Sequence, residues 1–179
     1  ANRGLYRELT AVKLITDKDG GTMARFESRE EQVFDEGISE VMVELLHAVT
    51  TDGSAKAMPA LGYKKTAYGK TGTTSFYRDS WFAGFSQNLV AVTWVGFDDA
   101  KNVDQNAIHL SGAGAALPVW TRFYSQAFPS VEELPAKPYS FIKPILIDKT
   151  RGCRATSSTS EKNTEFLYFI PGALPDECK

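Results

Sequence analysis

The sequence predicts an α/β fold of the α+β type, in which an antiparallel sheet is flanked by helices. Three extended, largely apolar runs at 67–74, 80–85 and 89–97 follow one another with only short turns between them. Connections this short join antiparallel neighbours, because parallel strands need a crossover of about a dozen residues or more. One amphipathic pattern precedes the three runs and another follows them, and each predicts a helix.

The first helix is predicted to begin near residue 38 and to end at the stretch 50–54, which reads Thr-Thr-Asp-Gly-Ser. Asp35 is placed to cap its start. Apolar residues recur at spacings of three and four and predict its core stripe: Ile38, Val41, Met42, Leu45, Leu46 and Val49. Upstream, short extended runs on either side of the turn 17–21 predict an accessory hairpin.

The third run of the sheet is apolar on both of its alternating faces. One face carries Val90, Val92 and Trp94, and the other carries Leu89, Ala91, Val95 and Phe97. Such a strand is expected inside a sheet that helices cover.

The second helix is predicted at about 115–128, with Pro118 in its first turn, where proline is tolerated. Its expected core stripe is Ala116, Val119, Trp120, Phe123 and Ala127.

The composition changes after Phe128, because six of the eight prolines and both cysteines lie beyond it. We therefore predict a main domain at 1–128 and a Pro-rich extension at 129–179. The extension has apolar clusters at 141–147 and 166–170 but no sustained period, and it is expected to be an extended appendage that packs on the main body or on a partner. Cys153 and Cys178 lack the spacing of a zinc site, which favours a disulfide and an oxidising compartment. Two unrelated thiols are the alternative.

Charge and hydropathy exclude several classes of function. The net charge of -2, with acids and bases interspersed, argues against nucleic acid. No apolar run reaches the roughly 18 residues of a membrane span, and the start at Ala1 carries neither an initiator Met nor a signal pattern. We expect a chain cut from something longer. No metal site is expected, because His47 should face solvent and His109 has no second histidine nearby.

The stretch 69–74, Gly-Lys-Thr-Gly-Thr-Thr, admits two chemical interpretations. A phosphate-binding loop needs a glycine five residues before Gly69, but that position is Lys64, and Gly62 is too early. It should also open a helix, whereas here another strand follows. The alternative is the K-T-G signature of serine acyl-transfer enzymes.

Each residue type in K-T-G has a physical task. A lysine on a sheet edge sets a cation beside a nucleophile, and threonine hydroxyls can donate to a carboxylate. A glycine lets a substrate backbone lie flat against the strand. A backbone N–H just beyond it can face the oxyanion of an acyl-transfer intermediate.

The surrounding sequence resembles the bifunctional, class A penicillin-binding proteins over nearly the whole chain. The resemblance is carried by 69–74, by Tyr-Arg-Asp-Ser-Trp-Phe-Ala-Gly-Phe at 77–85 and by Val-Thr-Trp-Val-Gly-Phe-Asp at 92–98. It extends upstream to residue 1 and downstream through 115–120 and, more loosely, 169–172. Arg3 stands where a second glycine is expected, and Ser75-Phe76 replaces a more polar turn.

The resemblance implies the K-T-G part of a β-lactamase/transpeptidase-like fold, with no cofactor. Lys70 would be the electrostatic and proton-handling partner of the serine, and the Thr73 amide would form part of the oxyanion hole. The Thr71 and Thr73 hydroxyls would bind a carboxylate, with Gly72 and Thr74 completing the substrate strand. Structural roles are expected for three residues that follow: Arg78, Asp79 and Trp81.

The implied parent activity is D,D-transpeptidation of peptidoglycan at the outer face of the bacterial inner membrane. Its partners would be D-Ala-D-Ala stem peptides, β-lactams and the upstream half of the same domain, with membrane attachment only through a segment outside this chain. Two alternatives remain, a D,D-carboxypeptidase or β-lactamase relative and a non-catalytic peptide- or partner-docking module. A β-lactamase should end near Phe128.

The chain lacks the S-x-x-K serine that such an enzyme uses as its nucleophile. Ser140-Phe141-Ile142-Lys143 matches the pattern, but Pro144 follows at once, whereas the nucleophile should open a buried helix. The sequence at 86–88 matches S-x-N, but it is the predicted turn between two strands. We interpret both matches as coincidences and expect the isolated chain to be inactive.

Overall fold

The computed structural model describes residues 1–86, 88–97, 110–129 and 139–179. The helices are α1, Glu36–Thr51, and α2, Leu117–Ala127, and a π-helical segment at Gly112–Ala116 leads into α2. Short 3₁₀ turns occupy Ser75–Tyr77 and Glu161–Asn163. The strands are β1 Leu5–Arg7, β2 Leu14–Thr16, β3 Thr22–Arg25, β4 Glu30–Gln32, β5 Tyr68–Thr73, β6 Asp79–Ser86, β7 Leu89–Gly96, β8 Lys143–Asp148, β9 Cys153–Arg154 and β10 Thr164–Phe169. The pairs that these ten strands form with one another in the described residues are antiparallel, so the predicted fold class is confirmed.

The chain divides into two compact units. The terminal unit comprises Ala1–Glu40 and Ser140–Lys179, and the central unit comprises Val41–Tyr139. This division groups the tail with the first forty residues of the chain. The boundary near Pro129 stays a prediction.

In the terminal unit, β1 pairs with β4 and β2 pairs with β3, which makes a nested antiparallel ribbon and confirms the predicted hairpin. A carboxylate oxygen of Asp17 accepts the backbone N–H groups of Asp19 and Gly21, at 2.9 and 2.8 Å. This Asx-type turn reverses the chain between β2 and β3.

Arg3 adopts the left-handed backbone region with φ of 49°, and Gly4 follows with φ of 79°. A Cβ on Gly4 would lie 2.2 Å from the Phe34 carbonyl oxygen, so only glycine fits there. Left-handed geometry costs a non-glycine residue about 1 kcal/mol or more, which explains why a second glycine was expected where Arg3 stands.

The predicted cap of α1 is present, because the Ile38 N–H donates to Asp35 Oδ1 at 3.1 Å. Its apolar stripe is only partly covered by the described residues, since Ile38, Met42 and Leu45 are 54%, 52% and 57% exposed. Periodicity indicates a face that favours apolar surroundings but does not say which chain supplies them. None of the helices in the described ranges has the length and apolarity to cross a bilayer.

Glu40 is the buried anchor between α1 and the start of the tail. Its two carboxylate oxygens accept the N–H groups of Ser140, at 3.0 Å, and Phe141, at 2.9 Å. Ser140 itself precedes strand β8 and opens no helix. This supports the interpretation of its S-x-x-K match as a coincidence.

The described part of the tail contains regular strands, which the absence of a sustained hydrophobic period did not predict. Its apolar clusters at 141–147 and 166–170 largely coincide with β8 and β10, and β8 pairs with β10 on one side and with β9 on the other. Prolines obscured the strand signal, but Pro144 lies near the start of β8, where a missing N–H is tolerated. Cys153 and Cys178 form the predicted disulfide, and beside it the Cys178 N–H donates to the Arg154 carbonyl at 3.0 Å.

Replacing both cysteines by serine should lower the free energy of unfolding by about 3 kcal/mol, because the closed loop no longer restricts the unfolded chain. Urea denaturation of the oxidised wild type and of Cys153→Ser/Cys178→Ser measures this loss. The reduced wild type serves as the control and should match the double variant. A difference below about 1 kcal/mol between oxidised wild type and variant would contradict the stabilising role.

The central unit is built on the sheet β5-β6-β7, with β6 in the middle. One face of the sheet packs against α2, where the Phe82 ring lies 5.2 Å from the Trp120 ring. The core of this unit is apolar and aromatic, and it consists of Ala55, Met58, Tyr63, Ala67, Phe82, Ala116, Leu117, Trp120 and Tyr124.

The buried face of α2 agrees with the predicted stripe at Ala116 and Trp120, which are fully buried, but differs from it elsewhere. Thr121 and Tyr124 are buried, whereas Val119 and Phe123 are about half exposed. Hydrogen bonds explain the shift, because the Thr121 hydroxyl donates to Leu117 O at 2.7 Å and the Tyr124 hydroxyl to Leu89 O at 2.5 Å. Polar groups with internal partners can be buried. Burial also raises the pKa of Tyr124 to about 12.

The prediction that both faces of β7 are buried is wrong for the described residues. Val90 and Val92 are 61% and 60% exposed, and β7 lies at an edge of its sheet. On the sheet face that they share with Trp94, these side chains stay exposed in the described part of the central unit.

Candidate functional site

The K-T-G residues lie on β5, whose one partner among the described strands is β6. Alternation along a strand places Lys70 and Gly72 on the exposed sheet face, together with Trp81, which pairs with Gly72. Thr71 and Thr73 lie on the opposite face.

The backbone of β5 presents hydrogen-bonding groups at its outer edge. The Thr74 N–H donates to the Asp79 carbonyl on the β6 side, at 3.1 Å. Because backbone groups alternate in direction along a strand, the N–H groups of Thr71 and Thr73 point away from β6. A peptide lying along this edge would meet both.

Lys70 is exposed and reaches toward the outer edge. Its ammonium donates to the Thr71 carbonyl at 2.8 Å and approaches Thr71 Oγ1 at 3.3 Å. An ammonium has three N–H donors, so one remains for a ligand. The strand therefore holds a cation beside the edge on which a substrate would lie.

The hydroxyls of Thr71 and Thr73 are each fixed by a neighbouring segment. Thr71 Oγ1 lies 2.6 Å from Ser54 Oγ, in the loop after α1. Thr73 Oγ1 accepts the N–H of Gly112 at 3.0 Å. Because a backbone N–H can only donate, the Thr73 proton is available to another acceptor.

Thr74 takes part in a closed turn. Its hydroxyl donates to Asp79 Oδ2 at 3.0 Å and accepts the Asp79 N–H at 2.9 Å. The other carboxylate oxygen of Asp79 accepts from Trp94 Nε1, also at 3.0 Å. These contacts give Asp79 a structural role. The contact of Thr74 with substrate stays a prediction, and if the Thr74 hydroxyl donated to a substrate carboxylate, that bond would have to replace its bond to Asp79 Oδ2.

Gly112 lies across the paired residues Gly72 and Trp81. A Cβ on Gly112 would be 2.7 Å from Gly72 O, 2.8 Å from Trp81 O and 2.9 Å from Gly72 N. Buried Ser80 anchors the same segment, since its hydroxyl donates to Ser111 O at 2.7 Å and accepts the Ala116 N–H at 2.9 Å. The sequence analysis missed this segment, although the run of small residues at 112–116 signals close backbone approach.

Tyr77 ends the turn between β5 and β6 with a φ of 55°. This left-handed geometry is rare for an aromatic residue and often occurs near functional sites. Its ring is partly exposed and directly follows Ser75-Phe76, where the sequence departs from the usual polar turn.

The remaining residues that the sequence analysis considered do not take part in the K-T-G site. Ser86 is buried, 2.6 Å from the Tyr63 hydroxyl, and its own hydroxyl donates to Thr66 O, so its S-x-N match is a core contact. His47 does not simply face solvent but packs on Tyr68 with ring centroids 5.4 Å apart. His109 lies outside the described residues. Within them, no group of three or more His, Cys, Asp or Glu side chains could hold a metal ion.

Comparisons of this chain with known proteins agree on one family. Residues 1–116 match the family model described as the penicillin binding protein transpeptidase domain. Penicillin-binding protein 1A of Aquifex aeolicus is 35% identical over 120 residues, which cover 67% of this chain and 16% of that protein. Penicillin-binding protein 1A of Rickettsia felis is 30% identical over 180 residues, covering 89% of this chain and 22% of that protein.

The fold is shared with a solved structure. The 2.6 Å crystal structure of penicillin-binding protein 1A from Haemophilus influenzae superposes with a TM-score of 0.81, at 22% identity, over 98% of this chain and 31% of that one. The chain thus spans well under a third of the length of the curated relatives described above.

Proposed function

Because this chain belongs to the penicillin-binding protein transpeptidase domain family, we propose that it supplies the K-T-G strand of a peptidoglycan D,D-transpeptidase. One observation carries the proposal. An exposed Lys70 ammonium lies on an open edge strand beside two threonine hydroxyls that neighbouring segments hold in place. This arrangement suits a peptide with a terminal carboxylate, such as the D-Ala-D-Ala end of a stem peptide.

The substrate backbone would lie along the outer edge of β5, as an added strand. Its terminal carboxylate would accept from Thr71 and Thr73, and Lys70 would stabilise negative charge near the reacting atoms. The Thr73 N–H, which points away from β6, is the candidate oxyanion donor. Gly72 leaves the exposed face of the strand without a side chain at this point.

The reaction would proceed by acyl transfer to a serine. The serine hydroxyl loses its proton to a base and attacks the carbonyl of the penultimate D-Ala, and the terminal D-Ala leaves with a proton on its amine. An amine of a second stem peptide then attacks the acyl-enzyme carbonyl and forms the cross-linking amide, while the serine ester bond breaks and the serine oxygen regains a proton as the amine loses one. A β-lactam would acylate the same serine by opening its ring.

We propose that the serine comes from the upstream half of the same domain. The exposed sheet face with Val90, Val92 and Trp94 supports this, because monomeric proteins seldom leave a large contiguous apolar patch open. The disulfide suits an extracytoplasmic location, where any membrane attachment would come from a segment outside this chain.

Labelling with a fluorescent penicillin tests the proposal. The full-length protein should form a covalent adduct on a serine outside this chain, and the isolated chain should form none. With stem peptide and an amine acceptor, the full-length protein should give cross-linked product; hydrolysis alone would indicate a carboxypeptidase or β-lactamase. An adduct on Ser140 or another residue of this chain would contradict the assignment, and no adduct in either protein would favour a docking module.

A further inference from the structure

We propose that Ser54 is a positioning residue for Thr71, and that it sets the affinity of the site for a carboxylate-bearing donor. The inference rests on the proposed function and deepens it. Ser54 lies in the loop after α1, outside the K-T-G motif, and its hydroxyl oxygen is 2.6 Å from Thr71 Oγ1. Nothing in its sequence context marked it as a site residue.

The hydrogen-bonding capacity of Thr71 gives the argument. A hydroxyl has one proton to donate and two lone pairs that accept. The Lys70 ammonium, 3.3 Å from Thr71 Oγ1, can only donate and therefore occupies one lone pair. If Ser54 donates to the second lone pair, the Thr71 proton is directed to a third partner, which would be the substrate carboxylate.

Thr73 shows the same pattern with a different donor. Its oxygen accepts the Gly112 N–H at 3.0 Å, which leaves its own proton to donate. Thr71 and Thr73 lie on the same face of β5, two residues apart. With Ser54 as donor, both protons are available to a single anion, and each hydroxyl is held without help from the substrate.

The position of Ser54 is fixed by its neighbours in the loop. The Gly53 N–H donates to Ala48 O and the Ala55 N–H to Val49 O, both at 2.9 Å. A Cβ on Gly53 would lie 2.7 Å from Val49 Cα, so the loop turns tightly against the end of α1.

The end of α1 is in turn joined to β5. The buried Thr50 hydroxyl contacts the Ala67 carbonyl, which precedes the strand, at 2.7 Å. Ala55 is fully buried, whereas Ser54 is exposed, so packing does not account for the contact that Ser54 makes. The loop therefore presents the Ser54 hydroxyl to Thr71 from a rigid base.

The test uses the full-length protein and a fluorescent penicillin in rapid-mixing experiments that separate the initial dissociation constant from the acylation rate constant. Ser54→Ala should weaken the initial complex about three- to tenfold, the worth of one hydrogen bond, and change the acylation rate constant less than about twofold. Ser54→Thr, which keeps the hydroxyl, should restore the affinity. Adding Ser54→Ala to Thr71→Val should cause little further loss, because the two residues act as one unit.

The matched control is Ser125→Ala, which removes another hydrogen-bonded serine hydroxyl of the central unit. The Ser125 hydroxyl bonds two backbone carbonyls, Gly62 O at 3.2 Å and Thr121 O at 2.9 Å. This variant should leave both kinetic constants unchanged. If Ser54→Ala fails to fold, Ser54→Cys, a weaker donor of similar size, should give intermediate affinity.

Unchanged affinity in a folded Ser54→Ala or Ser54→Cys protein would overturn the proposal. The proposal would also be overturned if the losses of affinity caused by Ser54→Ala and Thr71→Val multiplied in the double variant. A slower acylation step with unchanged affinity would contradict it as well. These results would leave the transpeptidase assignment standing if the wild type is acylated. A wild-type protein that forms no adduct would refute that assignment, and the role of Ser54 with it.

Discussion

Replacing Lys70 by methionine in the full-length protein is expected to slow acylation by penicillin by about 10²–10⁴-fold, the usual worth of a positioned proton-handling group. Methionine keeps the length and the apolar stem of the side chain but removes the ammonium. The backbone of β5 should hold its register with β6, because the Lys70 ammonium contacts only Thr71 within the described strands. The loss should therefore appear in the acylation rate and not in the melting temperature.

The matched control is Lys64→Met, which removes an exposed lysine of the preceding loop. It should be acylated at the wild-type rate. Lys70→Arg keeps the charge, but a planar guanidinium cannot reproduce a compact ammonium, so it should restore only part of the rate. If Lys70→Met changed the rate less than about tenfold, the cation would not be part of the chemistry.

Replacing Gly112 by alanine should be the most damaging single methyl addition in the central unit. The new Cβ would lie within 2.9 Å of three atoms, Gly72 O, Trp81 O and Gly72 N, and all three belong to the backbone of paired strands. No side chain can rotate away, so the π-helical segment or the strand pair must move. We expect a loss of about 2–4 kcal/mol in the free energy of unfolding, with slower acylation because the Gly112 N–H no longer reaches Thr73.

Gly114→Ala provides the comparison, because its Cβ would meet only the Ser111 hydroxyl, at 2.9 Å, which is the end of a short side chain. Its cost should stay below about 1 kcal/mol. Urea denaturation of both variants and of wild type checks the difference. If the two variants were equally stable, the paired strands at Gly72 would be able to move away from the new Cβ at little cost in free energy.

Local patterns identified the central sheet, but they could not say which surfaces are covered. The turns predicted at 76–78 and 86–88 indicated three antiparallel strands, and those strands are present. Hydropathy placed Trp120 correctly in the core but missed part of the buried face of α2, because the buried Thr121 and Tyr124 satisfy their hydroxyls on backbone carbonyls. A hydropathy scale treats a hydroxyl as polar whether or not it has such a partner.

The candidate site likewise contains residues that local sequence could identify and residues that it could not. Lys70, Thr71 and Thr73 could be identified because they are adjacent on one strand. Ser54 and Gly112 contact that strand from 17 and 39 residues away in sequence. Such contacts depend on how the loop after α1 and the π-helical segment pack, which no periodicity encodes.

The open sides of the central sheet have a consequence for handling the isolated segment. Both β5 and β7 are edge strands within the described residues, and β7 carries exposed Val90 and Val92. An unprotected edge beside valine side chains is a template on which another copy can add strands, so concentrated samples should self-associate. Lys70 resists this at the β5 edge, because stacking two such edges would bring ammonium groups together. Covering the β7 edge should therefore be a condition for keeping the isolated segment in solution.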